Sequence, residues 1–301
     1  MTAPDIQWYP GHIAKAEKQL QDQLQRVDVV LEVRDARIPL ATHHPDVDRW
    51  VGDKAKVLVL NRVDMVPDDV VALWTDWFKQ ARQERAYGAN AQHGKGVKAI
   101  AQAAQTAGRA MNERRRQRGM RPRPVRAVVI GFPNVGKSAL INRLLRKRVV
   151  ESARRAGVTR QLRWVRISDE LELLDAPGVL PSQLTDQEAA TKLAICDDIG
   201  EASYDNQRVA AAFVDELKVL QSRVPQFVPP DLLGERYGLA ADEFTGEGYV
   251  VALGEYRYQN DSERAARQML RDFRKGLLGA IPLELPVNGL ESQPSAPPSS
   301  L

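Results

Sequence analysis

The sequence predicts an α/β fold: a mostly parallel sheet with helices on both faces, followed by a small all-α region. Three observations lead there. Over the first 180 residues, short and nearly continuous apolar runs alternate with segments of helical spacing, the pattern of strands buried on both faces. One of these runs, Ala127-Val128-Val129-Ile130, passes through a glycine-containing turn straight into helical sequence. From Ser182 onward the spacing is helical throughout.

Taken in order, Ile6-Gln7-Trp8-Tyr9-Pro10-Gly11-His12 is a turn-rich aromatic entry, and Ile13 to Gln25 reads as a helix. Val27 to Val33 is the first strand, ending in Arg34-Asp35-Ala36-Arg37-Ile38-Pro39, where Asp35 and Arg37 are expected to stabilise the turn. A short helix follows Pro45, and Lys56 to Leu60 is the second strand. Pro67, preorganised for a first helical position, opens a helix running toward Arg82. A short strand ends near Gly88, a helix covers Val97 to Met111, and the arginine- and proline-rich segment 113–124 reads as a linker. Val125–Ile130 is the next strand; Arg160–Ile167 and Leu171–Leu174 form two more, joined by a tight turn. The division expected is 1–180 with an N-terminal helical extension, 181–287 as a helical domain, and 288–301 as a disordered tail.

Composition narrows the class. The 301 residues suffice for two cores, and 43% hydrophobic with 27% charged residues is ordinary for a globular protein. No apolar run is long enough to span a bilayer, and the N-terminus does not read as a signal peptide. A single cysteine, Cys196, excludes an internal disulfide. A cytoplasmic monomer is the expectation. The net charge of +4 hides an asymmetry: residues 1–180 carry 32 basic against 20 acidic side chains, and residues 181–301 carry 11 against 19. From Arg109 to Arg166 there are 18 basic residues and two acidic ones. This excess surrounds the glycine turn in sequence and predicts a nucleic-acid partner.

The glycine turn is Gly131-Phe132-Pro133-Asn134-Val135-Gly136-Lys137-Ser138, a GxxxxGK[ST] pattern between strand and helix. Amides of Asn134, Val135 and Gly136 can face phosphate oxygens, Lys137 can reach the β- and γ-phosphates, and Ser138 can ligate magnesium. Leu174-Asp175-Ala176-Pro177-Gly178 fits DxxG, with Asp175 holding magnesium through water and the Gly178 amide on the γ-phosphate. Thr159 is the candidate switch hydroxyl for magnesium. Asn61-Arg62-Val63-Asp64 follows the second strand. The Asp64 carboxylate suits the paired N–H edge of guanine, and adenine would leave it unpaired. Asn61 can tie this loop to the phosphate loop, and Arg62 can stack on the base where lysine is usual. Gly88-Ala89-Asn90-Ala91 is the second base-contacting loop, with a backbone amide for the guanine oxygen.

Guanine-recognition motifs here precede the phosphate motifs, the reverse of the usual order. In this the chain resembles the circularly permuted ribosome-assembly GTPases, the YlqF/RbgA-like group. The likeness covers Gln7 to His12, Asp35 to Pro39, the nucleotide motifs and the helical C-terminus. It implies GTP/GDP and magnesium as ligands and slow GTP hydrolysis until the large ribosomal subunit binds. It implies His12 as the residue that positions the attacking water, since Val179 stands where a glutamine is common. It implies Asn134 as a ligand for potassium, and a C-terminal domain that binds rRNA, where Arg264, Arg267, Arg271 and Arg274 recur at helical spacing. Two alternatives stay open on sequence: a nucleotide-gated RNA-binding scaffold with negligible catalysis, and an RNA-directed P-loop ATPase.

Overall fold

The computed structural model describes residues 20–145, 163–175 and 186–286, together with Lys18. Six strands form one sheet in the order β3-β2-β1-β4-β6-β5: β1 Val29–Asp35, β2 Ala55–Asn61, β3 Ala86–Ala89, β4 Val125–Ile130, β5 Arg163–Arg166 and β6 Leu171–Asp175. All neighbours are parallel except β5, which runs antiparallel to β6 at the edge.

The apolar runs explain this arrangement. Every residue of β1 is buried, and alternate side chains of a strand serve opposite faces. Val29, Leu31 and Val33 join Val57, Val59, Ala127 and Val129 on one face. Ile100 and Ala104 of α3 (Val97–Ala107) and Leu140 and Ile141 of α5 (Lys137–Leu145) cover it. On the other face, Val30, Val128, Ile130 and Leu174 meet Leu20, Leu24 and Trp50, the last from α1 (Val47–Val51). Leu58 and Leu60 meet Trp74 and Phe78 of α2 (Asp68–Ala81). Pro67 stands one residue before α2, at the N-cap position and without a side-chain capping bond, rather than as its first residue.

Two expectations are corrected. The helix Val97 to Met111 breaks at Gly108, where a Cβ would stand 2.3 Å from Val125 Cγ2; only glycine lets the chain pass so close to β4. Beyond it a second helix, α4 Arg109–Gln117, takes in the first five residues of the segment 113–124 read as a linker. Asn112 fastens that helix by two hydrogen bonds to the Arg123 backbone, Nδ2 to its carbonyl at 2.9 Å and Oδ1 from its amide at 3.1 Å. Arginine is a good helix former, and Pro122 and Pro124 lie past the helix end. Helix Ile13 to Gln25 falls within the described residues only over its last turns, and the tail 288–301 lies outside them.

Residues 187–274 form α6 Gln187–Cys196, α7 Asn206–Arg223, α8 Leu232–Tyr237, α9 Gly246–Arg257 and α10 Ser262–Arg274. Asp186, Asp205, Thr245 and Asp261 each cap a helix start by accepting an amide three residues on. Phe213 and Phe273, 4.8 Å apart, centre their core, and the apolar cluster runs without a break into the sheet. The chain then returns as a strap. Ile281 N donates to Met65 O, and Leu283 N and Glu284 N donate to Arg37 O.

Candidate functional site

Because β1, β2, β3, β4 and β6 are parallel, the loops after their C-terminal ends gather on one side of the sheet, where α/β folds bind ligands. The loop after β4 is the predicted phosphate loop, and the loop after β2 is the predicted guanine loop. Asn61, buried at the end of β2, joins them: its Nδ2 donates to Val135 O at 2.8 Å, and its Oδ1 accepts from the Ala91 amide at 3.0 Å. One asparagine thus sets the spacing of three loops. The Ala91 amide, read as one that could face the base, is committed to Asn61. Asn90 is also buried and shapes its own turn, its Oδ1 accepting from the His93 amide at 2.9 Å.

Glycine is required at both ends of the phosphate loop. Gly131 has φ 147° and a Cβ there would lie 2.3 Å from Val33 O; Gly136 has φ 99° and a Cβ would lie 2.2 Å from Asn61 Nδ2. Lys137, buried at the start of α5, folds its ammonium onto Gly131 O (3.1 Å) and Phe132 O (2.6 Å). Val135 is buried and Ser138 half-buried beside it. The Asp64 side chain is exposed in a 3-10 turn at the rim, next to Arg62 in the left-handed region at φ 64°.

Arg62 bridges the same two loops from the other side. One guanidinium nitrogen donates to Asn134 O at 2.5 Å, and the other pairs with Asp35 Oδ2 at 3.1 Å. Asp35 and Arg37 are both fully buried and bidentate, at 3.0 and 2.7 Å. Burial pulls the Asp35 carboxyl upward, but the guanidinium groups of Arg37 and Arg62 outweigh it and hold the carboxyl below its ordinary value. Asp198 lies near them, fully buried with neither carboxylate oxygen hydrogen-bonded among the described residues. Burial first, and then the Asp35 charge, push its pKa well above the carboxylate range, which favours the neutral acid.

The sequence missed what this network is attached to. The last carbonyls of a helix have no partners within it, and those at the end of α6 are taken by three distant residues. Arg274 donates to Ala194 O (2.8 Å) and Ile195 O (3.0 Å), Arg37 to Cys196 O (3.1 Å), and Asn134 Nδ2 to Asp197 O (2.6 Å). Arg274, read from spacing as part of an exposed stripe, is an internal tie whose side chain is 11% exposed. These contacts span 63 to 159 residues, so no local pattern announces them. The sequence marks Asn134 as a potassium ligand, Arg37 as a turn residue and Arg274 as one of a helical series, and none of the three for this contact.

Asp175 closes β6, the place expected for it. His12, Thr159 and Gly178 lie outside the described residues, and among the described residues no cluster of His, Cys, Asp or Glu could hold a metal by itself. No described helix is long and apolar enough to cross a membrane.

Comparison with known proteins agrees with the geometry. A family described as 50S ribosome-binding GTPase matches residues 126–222. Ribosome biogenesis GTPase A of Bacillus cereus is 35% identical over 93% of this chain and 94% of its own length, and that of Priestia megaterium is 34% identical over 93% and 97%. The GNP-bound structure of YlqF from T. maritima superposes with a TM-score of 0.60 over 91% of this chain and 99% of its own, at 23% identity, which supports the fold. By its identity to the Bacillus cereus and Priestia megaterium proteins over almost their whole length, the chain belongs to the ribosome biogenesis GTPase A family, with the sheet of a circularly permuted GTPase domain.

Proposed function

We propose that this protein binds and hydrolyses GTP as a factor in assembly of the large ribosomal subunit, and that it binds ribosomal RNA in a nucleotide-dependent way. The observation that carries the reading is the Asn61 bridge, which fixes the phosphate loop and the guanine loop to each other through Val135 O and Ala91 N. Asp64 and Lys137 then address opposite ends of one nucleotide: the carboxylate takes the N–H edge of guanine and the ammonium takes the β- and γ-phosphates. In this reading residues 1–180 form the nucleotide unit and 181–287 the helical unit that answers it.

The residues fit a hard cation. Ser138, Thr159 and Asp175 would hold magnesium by hydroxyl and carboxylate oxygens, and the bound ion would neutralise phosphate charge. Asn134 would offer its side-chain oxygen to potassium, its Nδ2 being engaged by Asp197 O. Gly178 would set its amide on the γ-phosphate. Val179 has no hydrogen-bonding side chain, and the family resemblance assigns the orienting of the water to His12 once the subunit is bound.

The test is GTP turnover, alone and with purified large ribosomal subunits, for wild type and His12→Ala. Stimulated turnover should fall to the basal rate in the variant while GTP affinity stays within about twofold. Unchanged stimulation removes His12 from the reaction. Equal affinity for ATP and GTP would overturn the guanine assignment, and cosedimentation with subunits indifferent to nucleotide would overturn the gating.

A further inference from the structure

The part of the basic excess that precedes the phosphate loop in sequence, residues 109–126, does not adjoin it in space. Helix α4 and the segment after it lie at the N-terminal ends of the strands. Arg123 forms a bidentate pair with Asp28 just before β1, at 2.8 and 2.9 Å, and Gly108 packs on Val125 at the start of β4. The phosphate loop follows the other end of β4, on the order of 20 Å away along six residues of strand.

This end of the sheet has three unusual properties. Between Arg109 and Arg126 there are eight arginines, one glutamate and no lysine. Arginine's planar fork suits phosphate, and a merely soluble face has no need to exclude lysine. Four carboxylates at this pole are already paired: Asp28 with Arg123, Glu113 with Arg116, Asp169 with Arg166 and Glu172 with Arg126. Arg109, Arg114, Arg115, Arg118 and Arg121 have no carboxylate partner among the described residues, while Glu170 faces the groove beside Arg109. Finally, α4 contributes no buried side chain, so the core does not account for its sequence.

We infer that α4, Arg118 and Arg121 form a docking face for the phosphate backbone of RNA, at the pole of the GTPase sheet opposite the nucleotide. An anionic membrane is disfavoured, since α4 offers only Ala110 and Met111 as apolar side chains to insert. The inference rests on the reading of the chain as an rRNA-binding GTPase.

The experiment uses the full chain with Arg114, Arg118 and Arg121 changed to Ala, and a second variant with Arg264, Arg267 and Arg271 changed to Ala. Each is titrated by filter binding with RNA extracted from large ribosomal subunits between 50 and 300 mM KCl. The first variant should lose roughly ten- to a hundredfold in affinity, and its log–log salt slope should fall by about two, at 0.7–0.9 per phosphate contact. Its GTP affinity should match wild type, which also shows that it folds. An unchanged slope in the first variant overturns the docking face, whether or not the second variant weakens. Loss of binding to phosphatidylserine vesicles with RNA binding intact would also overturn it. Failure of wild type to bind this RNA would overturn the rRNA reading itself, and the face with it.

Discussion

The two ends of one sheet use arginine in opposite ways. At the C-terminal ends of the strands, Arg37 and Arg62 share the Asp35 carboxylate, and Arg37 and Arg274 are tied to backbone carbonyls of α6. At the N-terminal ends, five arginines stand in solvent or half-buried without a carboxylate. An arginine spends its fork either on the fold or on a partner, and the neighbouring carboxylates show which. The same residue type therefore predicts stability effects at one pole and binding effects at the other.

The largest test of this contrast is Asp35→Ala, which leaves two guanidinium groups inside without their counter-charge. Breaking a buried pair in this way costs about 3–5 kcal/mol, and urea unfolding should show it as a lower midpoint at unchanged slope. Next, Asp64→Asn should weaken GTP roughly ten- to a hundredfold while leaving ATP affinity alone, since a charged hydrogen-bond pair carries about 1.5–3 kcal/mol; competition titrations read both.

A third test uses pH. Glu284 accepts from the Leu40 and Ala41 amides at 2.7 and 3.1 Å. Burial pushes its pKa up to about 7, against the lowering pull of those amides, Lys192 and Arg34. The folded value lies above the ordinary 4.5, so the folded chain keeps a proton that the unfolded chain has lost. This contribution to stability is whole below pH 4.5 and is lost as pH rises through about 7. Its full size is at most about 3 kcal/mol, and Glu284→Gln should flatten that part of the pH–stability curve. Smallest of all, Arg118→Ala should move the unfolding free energy by less than about 0.5 kcal/mol. A larger loss would mean that this arginine belongs to the fold, and the contrast between the poles would fail.

The local features were legible in the sequence. Gly131, Gly136 and Lys137 follow a strand and open a helix at fixed offsets, and Asn61 to Asp64 follow another strand, so chain order alone exposed the permutation. Gly108 was visible inside a helical pattern, but what makes it necessary is Val125, seventeen residues on and in another element. Asn134, Arg37 and Arg274 were each noticed, yet their shared target at the end of α6 is a product of tertiary packing. Segment 113–124 misled because charge and proline suggested a linker, whereas the prolines fall after the helix and arginine favours it. The apparent proximity of residues 109–126 to the phosphate loop was proximity along the chain, which a strand of six residues undoes.

Finally, the strap at 281–284 clamps two turns that are distant from it in sequence. Its amides reach Met65, the residue after Asp64, and Arg37, the residue that steadies Asp35. Three backbone hydrogen bonds thus hold the turn that carries Asp64 and the turn after β1 to one short segment more than 200 residues further along the chain.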